Sequence, residues 1–255
     1  MCVTVGMIEE MLNSLAPMET AEGYDNVGAL VGKRDQKATK ILVALDATMD
    51  VVKEAEKIGA ELIVTHHPLM FHSRKNMLEE DVEGKILCEM IRNHLSMIAV
   101  HTNLDKTDHS GSACCAALLK LQNIRQEGYL FFGELPKPMP ASALESVIAG
   151  VLHFPVRRYG SENKLVSTLA IGGGACDEEW LEAKQGGAQA FLTGEVRHHN
   201  ALAASMDDFV LFDGGHYGTE APLVPVLAEY LQKQLDDVQC NVKVYPSQSE
   251  PFGRM

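Results

Sequence analysis

Short apolar runs alternate with amphipathic stretches along nearly the whole chain, the pattern of βα units feeding a largely parallel sheet. Lys40 to Asp46 (KILVALD), Glu61 to His66, Met97 to Thr102, Ser167 to Ile171, Ala190 to Thr193 and Phe209 to Asp213 are near-continuous apolar runs, as buried parallel strands should be. Between them, Met49 to Ile58, Gly84 to His94, Ser110 to Leu121, Ala141 to Leu152, Asp177 to Gln185, His198 to Ser205 and Thr219 to Leu235 carry apolar residues three and four apart. Charges lie opposite, so these stretches predict helices. Thr4 and Ser110 stand where N-caps would start helices, and Gly59 and Gly186 where C-caps would end them. The rhythm breaks from Gly128 to Ser161, where FFGELPKPMP holds three prolines. A boundary is therefore expected there, with one α/β segment over residues 1–127 and a second over 128–255, each ending its strand and helix units in polar clusters.

The chain has 255 residues, 46% of them hydrophobic and 22% charged, the balance of an ordinary globular protein. Its 22 Lys and Arg against 35 Asp and Glu leave a formal charge of −13. Such a surface repels phosphate backbones, so non-specific nucleic-acid binding is disfavoured. No apolar run approaches the ~20 residues of a membrane span. The amino-terminal stretch has acidic residues and helical spacing in place of a basic flank, which points away from secretion and toward the cytoplasm. The six cysteines form no CxxC pair and are expected to be small core residues.

Chemistry gathers at the strand ends, where open α/β sheets bind ligands. ELIVT runs into His66 and His67, and Pro68 stops the strand, so the two imidazoles can splay toward two neighbouring points. Two solvated loop histidines are the alternative. AVHTNLD delivers His101 and then Asp105, a carboxylate that binds metal, orients a ring, or merely caps a turn. FDGGHYGTE sets His216 and Glu220 four apart, on one face of a helix if one opens at Gly218, although a Glu in a first helical turn also suits the macrodipole. LTGEVRHH adds Glu195, Arg197, His198 and His199 after a fourth strand. Four strands ending in metal-competent residues favour a metal site over coincidence. Nitrogen and carboxylate oxygen without thiolate suit Zn²⁺, Fe²⁺, Mn²⁺, Co²⁺ or Ni²⁺.

YDNVGALVG (Tyr24 to Gly32), THHPLMF, HTNLD, TGEVRHH, GHYGTE and SEPF (Ser249 to Phe252), in this order, resemble the NIF-three-like family, also labelled GTP cyclohydrolase 1 type 2 homologues or dinuclear metal centre proteins. The resemblance spans Tyr24 to Phe252 and matches the short bacterial form; Tyr24 stands where many relatives have Trp. It implies two interlinked α/β lobes, a toroidal homohexamer and two divalent metal ions in the cleft between the lobes. Carried over, His66 and Asp105 would hold one ion, His67 and His216 the other, and Glu220 would bridge them. His101 is a further ligand or acid/base candidate, and His198 a second acid/base candidate. The roles of Glu195 and His199 stay open.

Two such ions ~3.5–4 Å apart can activate a shared water as a nucleophile, so a hydrolase is expected. His101 or His198 would pass the proton to the leaving group. The family label points to opening of the GTP imidazole ring with release of formate. Arg74, Lys75, Lys106 and Arg197 lie beside the metal motifs and can form a basic rim for a nucleotide or other anionic small molecule. A metal carrier, sensor or partner-binding ring uses the same ligands without catalysis, and a nucleotide phosphohydrolase keeps the chemistry and changes the leaving group.

Overall fold

A computed structural model describes residues 2–252. The chain forms two compact units: the first runs to Thr107 and resumes at Val224, and the second is Asp108–Leu223. The first unit opens with α1 (Val5–Leu15), β1 (Gly28–Val31), β2 (Lys40–Ala44), α2 (Met49–Ile58), β3 (Leu62–Thr65), α3 (Val82–Arg92), β4 (Ser96–Ala99) and the single turn α4 (Thr102–Asp105). The second contains α5 (Gly111–Leu118), β5 (Gln122–Glu127), β6 (Leu130–Pro140), α6 (Ala141–Leu152), β7 (Arg157–Tyr159) and β8 (Leu165–Gly172). It continues with α7 (Trp180–Gln185), β9 (Ala190–Thr193), α8 (His198–Met206), β10 (Val210–Asp213) and α9 (His216–Glu220). Then α10 (Leu223–Asp237) and β11 (Lys243–Pro246) complete the first unit.

Each unit is built on one sheet with a parallel heart, flanked by antiparallel strands at one edge in the first unit and at both edges in the second. The first orders its strands β1-β4-β3-β2-β11, parallel from β4 to β11, with β1 antiparallel to β4. The second orders them β5-β6-β8-β9-β10-β7, parallel across β8, β9 and β10 and antiparallel elsewhere. This is a mixed α/β fold, as the alternation of apolar runs predicts.

The apolar runs become the parallel strands because each is covered on both faces. Leu42, Ile63 and Met97 pack with Val52, Ala55 and Met90 in the first unit. In the second, Leu169, Leu192 and Val210 pack with Leu144 and Ile148, while Phe191 and Leu211 pack with Trp180 and Ala183 on the other face.

The segment expected to interrupt the fold is instead strand β6, paired with both β5 and β8. Its ladder with β8 is irregular between Glu134 and Met139, so Pro136 and Pro138 fall where no regular donor is needed. The division into units also differs from the expected cut at 127/128. The stretch after Asp108 pairs into the second sheet through β5, and β11 pairs in parallel with β2, which returns the carboxyl-terminal segment to the first unit.

Thr4 and Ser110 cap α1 and α5, and Gly59 ends α2 in the left-handed conformation. Gly186 ends α7 with φ −70°, its N–H returning to Glu182, so the positive φ falls one residue later at Gly187. Ser110 is buried and accepts from the Ala113 N–H at 3.1 Å. Ser110→Ala should therefore cost about 1 kcal/mol in urea unfolding; an unchanged midpoint would show the cap to be dispensable.

Cys114, Cys115, Cys176 and Cys240 are buried, whereas Cys2 is exposed. Burial pushes the Cys114 thiol up to about 11. No helix among the described residues is long and apolar enough to cross a membrane.

Candidate metal-binding residues

In the first unit three adjacent parallel strands release their polar residues at one edge. Asp46 follows β2, His66 and His67 follow β3, and His101 follows β4. The three imidazoles sit with ring centroids 4.9 to 5.4 Å apart. One ring nitrogen of each lies within 4.8 Å of the others. Pro68 prevents β3 from continuing, and the Thr65 hydroxyl donates to the His67 carbonyl at 2.8 Å, so both histidines are held at the turn. The short helix α4 then brings Asp105 back: Asp105 Oδ1 lies 3.6 Å from His66 Nε2.

The Nδ1 atoms are all engaged. His66 Nδ1 meets the Val100 carbonyl at 2.8 Å, His67 Nδ1 meets Asp46 Oδ1 at 2.7 Å, and His101 Nδ1 meets Asp25 Oδ1 at 2.9 Å. Each of these oxygens only accepts, so each Nδ1 of a neutral ring donates, and Nε2 keeps its lone pair. A carboxylate or carbonyl behind an imidazole is the usual outer partner of a metal-ligating histidine. Burial pushes the Asp25 carboxyl up, but bonds from His101 and Thr102 outweigh it and hold the group well below the usual carboxylate range.

The second unit repeats this arrangement at the ends of its own parallel strands. Gly174 follows β8, Glu195 follows β9, and α9 begins at His216 just after β10. The helix opens two residues earlier than a start at Gly218 would place it, and the four-residue spacing still brings His216 Nε2 to 3.0 Å from Glu220 Oε2. Behind His216, Glu195 Oε1 accepts from Nδ1 at 2.7 Å.

Glycines permit this packing. Gly174 has φ +64°, and a Cβ there would run into Glu220 Oε1 and reach 3.4 Å from His216 Nε2. A Cβ at Gly194 would stand 2.7 Å from both the His216 Cα and Thr219 Oγ1.

An imidazole nitrogen with its lone pair facing a carboxylate oxygen on the next turn calls for a positive centre between them, a proton or a cation. The residues therefore fit a divalent ion by donor type, with nitrogen and oxygen and no thiolate.

His198 and His199 are exposed on the first turn of α8 and take part in neither cluster. The basic rim is largely committed to the chain's own carboxylates. Arg74 pairs with Asp81 at 2.6 Å and with Glu83, Lys106 with Glu22 at 2.7 Å, and Arg197 with Asp177 and Glu178 at 2.7 Å each. Lys75 is exposed. Beside His67 a pocket of about 750 Å³ opens between Asp46, Met49, Leu69, Ile86 and Phe252.

The sequence alone does not mark Asp25 or Asp46, although Asp46 closes an apolar run and Asp25 lies in YDNVGALVG. A carboxylate at the end of a strand that neighbours a histidine strand is the signal that would have found Asp46.

A family model described as Duf34/NIF3 (NGG1p interacting factor 3) matches residues 3–251. A GTP cyclohydrolase 1 type 2 homolog of Clostridium perfringens is 30% identical over 239 residues, covering 90% of this chain and 91% of its own. The GTP cyclohydrolase 1 type 2 of Helicobacter pylori J99 is 30% identical over 226 residues, covering 87% and 89%. Among solved structures, the hypothetical protein SA1388 of Staphylococcus aureus superposes with a TM-score of 0.95 at 26% identity, covering 100% of both chains. A match running over nearly the entire length places this chain in the Duf34/NIF3 family.

Proposed function

We propose that the chain is a hydrolase dependent on two divalent metal ions, acting on a nucleotide in the manner the name GTP cyclohydrolase 1 type 2 describes. One observation carries the reading: His66, His67, His101 and His216 all have Nδ1 tied to an oxygen, so that Nε2 is the atom each offers. His66 with Asp105 would hold one ion and His67 with His216 the other, with Glu220 serving both. Divalent ions bound there supply Lewis acidity and activate water near neutral pH. Asp46 and Glu195 keep the rings of His67 and His216 in register, and the pocket beside His67 offers room for a substrate body. Of the two acid/base candidates, His101 lies among the other imidazoles, whereas His198 is exposed on a helix start and takes no part in the cluster. The phosphohydrolase reading loses its main support, since three of the four rim cations already hold carboxylates. The toroidal hexamer and the cytoplasmic location belong to the same proposal.

The test is metal analysis of protein purified without added metal or chelator. It is coupled to assay of formate and phosphate release from GTP before and after loading with Fe²⁺, Mn²⁺ and Zn²⁺. Two ions per chain with formate release is the expected result. His67→Ala and Glu220→Ala should each lower the ion content and abolish turnover, with far-UV circular dichroism unchanged. Full occupancy in Glu220→Ala would refute its role toward both ions. Two ions with neither product would favour a carrier, and phosphate release alone a phosphohydrolase.

A further inference from the structure

The segment just ahead of β1 is tied to the histidine cluster at three consecutive residues. The Tyr24 ring meets Phe71 edge-on at 6.2 Å, and Phe71 in turn meets His101 at 5.9 Å. Asn26 donates from its side chain to the Met70 carbonyl at 2.6 Å, anchoring the turn that follows His66 and His67. Between them stands Asp25, whose side chain is fully buried. Its Oδ1 accepts from the Asn26 N–H at 2.8 Å and from His101 Nδ1 at 2.9 Å. Its Oδ2 accepts from the Thr102 N–H at 3.0 Å and from the Thr102 hydroxyl. The Thr102 hydroxyl itself accepts from the Glu22 N–H at 3.0 Å, which closes the network.

Every group around Asp25 is a donor, and a carboxylate has no proton to offer in return. We propose that Asp25 is a positioning residue that confines neutral His101 to the tautomer protonated at Nδ1. The Nε2 lone pair of His101 is thereby aimed at His66 and His67 and becomes a third nitrogen for a cation held there. The inference rests on the metal reading above and goes beyond it, because it assigns Asp25 a role and makes His101 a donor set from behind in place of an acid/base.

An amide at position 25 cannot reproduce this. It has one oxygen for donors that two oxygens now serve, so its NH₂ must face either Thr102 or the His101 ring. Asp25→Ala removes the acceptor altogether.

The tautomer is read directly by ¹⁵N NMR of histidine-labelled, metal-free protein at pH 8, with His101→Ala to assign the resonances. Native protein should show His101 as the Nδ1–H form alone; an Nε2–H form there overturns the proposal without recourse to any variant. Asp25→Ala should populate the Nε2–H form, and Asp25→Asn should do so to the extent that its NH₂ faces the ring. Both should also weaken Mn²⁺ and Zn²⁺ binding about ten- to a hundredfold in a chelator-competition titration. Native uptake with Asp25→Ala affinity within about twofold of it overturns the donor role alone. A native protein that takes up no ion overturns the donor role and the metal reading together.

Discussion

Gly174→Val is expected to lose about 3 kcal/mol of stability and most of the divalent-ion uptake proposed above. Two costs combine at this position. A branched side chain is strained by about 1–3 kcal/mol at a φ of +64°. Its Cβ would also meet Glu220 Oε1, with Glu220 Cδ 3.2 Å away, adding about 1–3 kcal/mol of overpacking. Relief requires the Glu220 carboxylate to swing away from His216, which breaks the nitrogen and oxygen pair at 3.0 Å. Urea unfolding and an ion titration on the same preparation check this, with Gly150→Ala as the control because nothing lies within 4 Å of that position. A wild-type midpoint together with full ion uptake in Gly174→Val would sink the argument.

Asp177→Asn should cost about 2 kcal/mol at pH 7, in line with hydrogen bonds to a charged group. The side chain is 3% exposed and is ringed by donors. It accepts from the Arg197 N–H at 2.8 Å, from Arg197 Nε at 3.0 Å and Nη2 at 2.7 Å, and from Asn200 Nδ2 at 2.8 Å. Burial pushes its carboxyl up, but Arg197 and Asn200 prevail and set it below the usual carboxylate value. The folded form therefore holds its proton less tightly than the unfolded chain. The resulting stability is present above about pH 3.9 and disappears as the pH falls through the lower folded value. Wild type and Asp177→Asn should accordingly converge in urea midpoint below about pH 3.9. A gap that persists unchanged into acid would mean that the carboxylate charge is not what holds the start of α8.

How much of this was legible in the sequence depended on burial. Strands β2, β3, β4, β8, β9 and β10 are covered on both faces and leave near-continuous apolar runs that periodicity detects. The flanking strands carry no such mark. β5 is exposed at every residue, β7 is Arg-Arg-Tyr, and β11 alternates between exposed and half-buried positions. Pro136 and Pro138 read as a break because the irregularity that tolerates them exists only in the paired strand.

The same contrast holds for the candidate site. His66, His67, His101, His216 and Glu220 were conspicuous as rare side chains at strand ends. Asp25 and Asp46 were not, because an isolated Asp is ordinary in a loop and only the tertiary pairing gives it an imidazole to hold. Gly174 was hidden in a run of three glycines. The cations at Arg74, Lys106 and Arg197 looked available because the sequence does not display their carboxylate partners.

The insertion of one unit into the chain of the other sets a timetable for synthesis. A chain emerging from the ribosome offers β2, β3 and β4 early, yet β11, the parallel neighbour of β2, appears only after Asp108–Leu223 has been made. Until then β2 presents an open row of amide and carbonyl groups, the kind of edge on which nascent chains pair wrongly. The inserted unit has its whole sheet in one continuous stretch and can finish first, whereas the outer one must wait to close. Glu220, too, is translated long after His66, so no nascent chain can assemble the proposed pair of ions until almost all of it has been made.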